Sequence, residues 1–240
     1  MYKIKGTDVD HEIKSMLKYE SNKQEMDKLL ESLARPYFEN KELKILDACC
    51  GIGHISRILS DLSPESKFTG VDSESKLIKL GDKLNTTQNI SLVNEDILKF
   101  LPKNLKIFDI TVCWKTLSWF DYYEDLLVGL INSTKKHIFI SSLFFDGDID
   151  FEVKVREFNK EAGKKGFNKN YNVYSLPQFK RFALKKGVKK IDVVDFDISI
   201  NIEKPPINEM GTYTITEKNG HKVQISGAIV QFWKIIRLDL

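Results

Sequence analysis

A chain of 240 residues is long enough to bury a complete core as one domain, with room for a small cap. Its hydrophobic content of 42% and charged content of 30% are ordinary for a globular protein, and a net charge of +3 supplies no electrostatic reason to expect nucleic acid. No apolar run is long enough to span a bilayer, and the charged N-terminus lacks the apolar centre of a signal peptide, so no membrane partner is expected. Three cysteines, two of them adjacent and none at zinc spacing, suit a reducing cytoplasmic setting without disulfides or a metal site. The reading is a single domain over 1–240, with 1–40 as an N-terminal helical cap and 144–174 as an insertion longer than a simple connection.

Residues 8–34 read as helical, with Ile13, Met16 and Leu17 as one apolar set and Met26, Leu29, Leu30 and Leu33 as another. The polar gap between them allows two helices or one bent one, and Pro36 is expected to end the run. An apolar strand through Ile45, Leu46 and Ala48 then enters a small-residue turn holding Gly51 and Gly53. A helix follows at once, with Ile55, Ile58, Leu59 and Leu62 on one face. Glycine lets such a turn adopt positive φ and lets a ligand lie against the backbone, while the helix start offers free N–H groups. This is a cradle for a nucleotide cofactor. A dinucleotide would call for G-x-G-x-x-G, but Ser56 stands where the third glycine belongs.

Lys67–Asp72 reads as a second strand ending in an acid, which can accept hydrogen bonds from both ribose hydroxyls. The alternative for Asp72 is a cap on the helix 74–84, a task Ser73 could also take. Ser91–Val93 forms a third strand, followed by Asp96 and Ile97 in what could also be a surface turn. Ile107–Cys113 is the fourth, leading to Trp114, Lys115, Trp119 and Phe120. Tryptophans at a strand's carboxyl end line a pocket or fill a core. Asp121 and Glu124 have the spacing of a capping box for a helix over 121–132. His137–Leu143 is a fifth, buried strand. The stretch 144–174 holds Phe145 and Asp146, then a polar helix over about 151–163 and a loop to Tyr174. Ser175 and Gln178 make a second capping box, Ile191–Ile200 a sixth strand, Thr212–Ser226 a hairpin turning at Asn219-Gly220, and Ala228–Ile236 the last strand.

The run Ile45 to Gly53, with Asp47 two residues before Cys49, resembles motif I of the class I S-adenosylmethionine (SAM) methyltransferases, hydrophobic–Asp–x–G-x-G-x-G. Cys49 occupies the place of the first glycine. The segment after the fourth strand is similar to the one that floors the methyl donor in that family. The resemblance implies an α/β fold, a three-layer αβα sandwich. Its seven-stranded, mostly parallel sheet has the order 3-2-1-4-5-7-6 and an antiparallel last strand. It implies SAM as cofactor and S-adenosylhomocysteine (SAH) as product. Cofactor contacts would fall to Asp47, Ala48, Cys49, Gly51, Gly53, Asp72, Ser73, Asp96, Ile97, Cys113 and Trp114. Asp96 would meet the adenine amino group, and Ile97 its ring. Trp114, Lys115, Trp119 and Phe145 would border the acceptor, and His54, Lys115 and Asp146 are candidate catalytic groups. His54 could equally be a solvent-facing first-turn residue.

The implied reaction moves a methyl group to an oxygen or nitrogen of a small polar metabolite, with a sugar or nucleotide-linked sugar as one form. RNA methylation, a non-catalytic SAM-binding partner subunit and an NAD(P)-dependent enzyme are the rivals. The closing hairpin and Ser56 argue against the last. A monomer or homodimer is expected.

Overall fold

A computed structural model describes residues 13, 16, 17, 23–38, 42–159, 164–206 and 211–240. Most of the first apolar set's predicted helix lies outside these residues. Seven strands form the main sheet: β1 (Lys44–Ala48), β2 (Lys67–Asp72), β3 (Ile90–Asn94), β4 (Phe108–Cys113), β5 (Thr134–Phe145), β9 (Lys190–Asp195) and β13 (Trp233–Asp239). Their order is β3-β2-β1-β4-β5-β13-β9, which is the expected 3-2-1-4-5-7-6. β13 runs antiparallel to both neighbours, pairing Trp233 with Leu143 and Lys234 with Asp195 at one end. The two-residue β8 (Tyr174–Ser175) pairs with the carboxyl end of β5.

Alternation along the strands sends side chains to two covering layers. Ile45 faces the layer of α1 (Glu25–Phe38) and α2 (His54–Ser60), packing with Met26, Leu30, Ile58 and Leu59. Leu46 faces the opposite layer, which holds α4 (Ile97–Phe100), α5 (Glu124–Ser133) and α6 (Leu176–Lys185). The remaining helix, α3 (Ser75–Leu84), puts Leu77 against Ile52 of the glycine turn.

Four expectations about local structure are corrected, and one alternative is set aside. α1 runs past Pro36 to Phe38, because the fully buried Phe38 ring stacks on Phe68 at 6.5 Å and holds the last turn where proline removes one backbone donor. Neither Asp72 nor Ser73 caps α3; Glu74 does, accepting from the Lys76 N–H. The capping box at Asp121 does not form, since α5 begins at Glu124 and the Asp121 carboxylate accepts from Asn170 Nδ2 at 3.0 Å. The expected polar helix over 151–163 is replaced by a hairpin of β6 (Lys154–Asn159) and β7 (Lys164–Asn170). The last strand begins at Trp233 rather than Ala228, because Ile229–Val230 (β12) folds back onto β11 (Lys222–Ser226), which pairs with β10 (Thr212–Thr216).

Candidate active site

The glycine turn forms as the residue types require. Cys49, Gly51 and Gly53 have φ of 61°, 57° and 73°. In that left-handed region glycine is unstrained, whereas a side chain costs about 1–2 kcal/mol, the penalty Cys49 carries. Burial pushes the Cys49 thiol up, and the Cys113 thiol at the end of β4 is likewise pushed up, to about 12. Both are therefore neutral, small apolar fillers beneath the turn. Ala48 is fully buried beside them. The turn is tied to β2 by the Cys50 N–H, which donates to the Val71 carbonyl at 3.1 Å.

Asp47 and Asp72 do different work. Asp47 is 2% exposed and points at the start of α2, where the Ser56 N–H and hydroxyl both donate to its Oδ2 at 3.1 and 2.8 Å. The residue that breaks the dinucleotide pattern therefore fastens β1 to α2. Burial drives the Asp47 carboxyl up to about 6, against the pull of the Ser56 bonds. A carboxyl with a folded value above the 3.8 of the free side chain holds its proton more tightly in the folded chain. Protonation thus favours folding near pH 4, and that contribution is lost as the pH rises through 6. Asp47→Asn is expected to flatten the fall in stability across this window, as read by urea unfolding at stepped pH. An unchanged pH slope would show that the carboxyl titrates as in the unfolded chain.

Asp72 ends β2 beside the turn. Its Oδ2 accepts from the Gly51 N–H and its Oδ1 from the Glu74 N–H, both at 2.9 Å. Burial raises its carboxyl, and these backbone donors oppose the rise. A carboxylate offers about four lone-pair sites, so two remain for the hydroxyls of a ribose. A glycine turn next to an acid at the adjoining strand end fits a nucleoside cofactor, and in this structure the Met16 side chain lies against Gly51. Ser73 is exposed beside Asp72. Asp96 caps α4, accepting from the Leu98 N–H at 3.0 Å, and Ile97 is buried in the core behind it.

The acceptor-side candidates separate into two groups. His54 and Lys115 come together on Asp27, a residue of α1 that sequence reasoning passed over. Asp27 is 1% exposed, and its Oδ1 accepts from Trp114 Nε1 at 2.9 Å and Lys115 Nζ at 3.0 Å. Its Oδ2 lies 3.3 Å from His54 Nε2. Burial opposes its ionisation, yet the His54 bond, the Lys115 charge and the two further bonds hold the carboxyl well below the usual range. Trp114 is buried among the α1–α2 core residues. Lys115 sits at φ 57°, a strained conformation for lysine, with its N–H fixed to Ser141 Oγ at 2.8 Å. Its ammonium also bonds Gln24. The signal in sequence was faint: Asp27 is an acid inside an apolar helical set, adjacent to Met26.

The second group stands apart from Asp27. Asp146 is largely exposed and pairs with Lys234 at 3.1 Å. Phe145 is 40% exposed and meets Phe151 edge to face at 5.4 Å. Trp119, half-buried, closes the 3₁₀ turn Leu117–Trp119. That turn is stapled to the 144–174 stretch: Asn172 Nδ2 donates to the Phe120 carbonyl at 2.8 Å, and the Tyr174 hydroxyl to the same carbonyl at 2.9 Å. Among the described residues no cluster of three or more His, Cys, Asp or Glu could hold a metal, and no helix is long and apolar enough to cross a membrane.

The sheet order, the glycine turn and the acid at the end of β2 define the class I SAM methyltransferase fold. Residues 45–136 match the family model described as a methyltransferase domain. Malonyl-[acyl-carrier protein] O-methyltransferase of Bacillus anthracis is 25% identical over 104 residues, covering 43% of this chain and 38% of that protein. Its counterpart in Bacillus cytotoxicus is 24% identical over 149 residues, covering 60% and 50%. The chain thus spans half or less of the length of these relatives. Among solved structures, the YcgJ protein of Bacillus subtilis superposes with a TM-score of 0.59 at 11% identity, over 89% of this chain and 97% of that one. An S-adenosylmethionine-dependent methyltransferase of Mesorhizobium loti gives 0.56 at 13% identity, over 87% and 96%. These likenesses support the fold.

Proposed function

We propose that the chain works as a SAM-dependent methyltransferase acting on an oxygen or nitrogen of a small polar acceptor, of which a sugar or nucleotide-linked sugar is one form. The observation that carries this reading is the placement of two polar, proton-binding side chains, His54 and Lys115, on one buried carboxylate beside the glycine turn. When bound, SAM supplies an activated methyl on a sulfonium, so the protein's contribution is chiefly positioning. Gly51 and Gly53 would let the cofactor lie on the backbone, Asp72 would hold its ribose and Asp96 its adenine amino group. His54 would take a proton from a hydroxyl acceptor. The 144–174 stretch would form the acceptor wall with Phe145 and Trp119.

A second reading, methylation of a carboxylate carried as an acyl thioester, is favoured by the names of the two bacterial relatives and by the Lys115 ammonium, which suits an anion. A carboxylate would need no base. Thermal unfolding with SAM, SAH or NAD at about a hundredfold over Kd tests the shared premise: SAM and SAH should raise the midpoint by roughly 5–10 °C and NAD should not. Stabilisation by NAD alone would overturn it. Methyl-labelled SAM with free sugars, nucleotide sugars and malonyl thioesters then separates the two acceptors.

A further inference from the structure

We infer, on the methyltransferase reading, that Leu92 is a positioning residue of the cofactor site: its side chain fills a slot left by three glycines and so sets where the glycine turn stands against β2 and α3. Leu92 is half-buried on β3 and lies directly across from Gly70 of β2. A Cβ built on Gly70 would stand 2.6 Å from Leu92 Cδ2, and one built on Gly53 would stand 3.0 Å from the same methyl. A Cβ built on Gly81 would stand 2.5 Å from Leu92 Cδ1. One leucine thus occupies, with its two methyls, the space that side chains on the turn, on β2 and on α3 would need.

Glycine is unfavourable at two of these positions. Gly70 lies inside a strand and Gly81 inside a helix, and neither has the positive φ that calls for glycine. The chain gives up local propensity at both, and what it gains is the close approach of three elements to one side chain. Gly53 does have a φ of 73° and stands immediately before α2, so Leu92 meets the turn at the point where it becomes a helix.

The same support carries the ligand side of the cradle. Gly70 comes two residues before Asp72 on β2, and Asp72 Oδ2 accepts from the Gly51 N–H at 2.9 Å. Turn and acid are set against each other by backbone bonds and by the leucine between them. Shortening Leu92 leaves a gap beside Gly53 and Gly70 into which the turn can settle. The main chain that would receive a nucleoside then shifts relative to the Asp72 carboxylate, and a shift well under 1 Å is enough to weaken binding.

Calorimetry and amide NMR on the whole chain test this. Leu92→Ala should weaken SAH binding about tenfold and move the Gly51 and Gly53 amide signals of the ligand-free protein. Leu92→Met, which refills the slot, should bring the affinity back to within threefold of wild type. Ile90→Ala is the comparison for packing alone, because Ile90 is 5% exposed in the same layer, at the end of β3 away from the turn. It should lower the unfolding midpoint at least as far as Leu92→Ala, with SAH affinity within threefold of wild type and both glycine signals in place. Should either alanine variant fail to fold, Leu92→Val and Ile90→Val carry the same contrast in the glycine signals. For any acceptor turned over, KM for SAM should rise about tenfold in Leu92→Ala with kcat within twofold, a split that general loosening would not produce. Unmoved glycine signals in Leu92→Ala overturn the assignment, and so does SAH affinity within threefold of wild type, or an equal loss in Ile90→Ala. Wild type that binds no SAH sinks the methyltransferase reading instead, and the glycine signals then still decide whether Leu92 sets the turn.

Discussion

Asp72→Ala is expected to lower SAH affinity at least a hundredfold in titration calorimetry while the chain stays folded. Two hydrogen bonds from ribose hydroxyls to a charged acceptor contribute about 1.5–3 kcal/mol each, and together they account for that factor. The effect on stability is smaller because two changes oppose one another. The Gly51 and Glu74 N–H groups lose their 2.9 Å partner, which destabilises the turn. The folded chain is also relieved of a carboxylate that burial disfavours in its charged form. Asp72→Asn keeps one acceptor oxygen and should fall between wild type and alanine. SAH affinity within threefold of wild type in Asp72→Ala would remove this residue from the cofactor site.

The sheet was legible because a buried parallel strand is a short apolar run with turn residues at each end. Lys67–Asp72 was bounded to the residue, and the antiparallel last strand between β5 and β9 followed from the resemblance. What was missed depends on long-range partners. Asp121 and Glu124 carry the spacing of a capping box, but Asn170, almost fifty residues on, takes the Asp121 carboxylate, and α5 starts later. The hairpin of β6 and β7 occupies a lysine- and asparagine-rich stretch whose composition favours neither strand nor helix strongly. Asp27 was invisible for the same reason: its meaning lies in Trp114 and Lys115, 87 and 88 positions away. The glycine turn, whose contacts are local, was readable in outline, including the restricted backbone at Cys49, although the strain at Lys115 was not.

Gly81→Ala is expected to destabilise the chain by about 2 kcal/mol and lower the unfolding midpoint by roughly 4–8 °C. Gly81 lies inside α3, where alanine by itself would favour the helix by about 1 kcal/mol. The added Cβ would, however, stand 2.7 Å from the Ile52 carbonyl oxygen and 2.5 Å from a Leu92 methyl. The leucine can turn aside. The carbonyl is less able to, because Ile52 lies between Gly51 and Gly53, is 1% exposed, and accepts from Arg57 Nη1 at 2.7 Å. Either α3 moves off the sheet or the turn moves into the space where a cofactor would lie. SAH affinity should therefore fall about tenfold together with stability. Lys79→Ala, exposed on the same helix, should change neither. A stabilised Gly81→Ala with full SAH affinity would mean that α3 and the turn do not press together as the structure has them, and that the absence of a side chain at position 81 has no part in shaping the cradle.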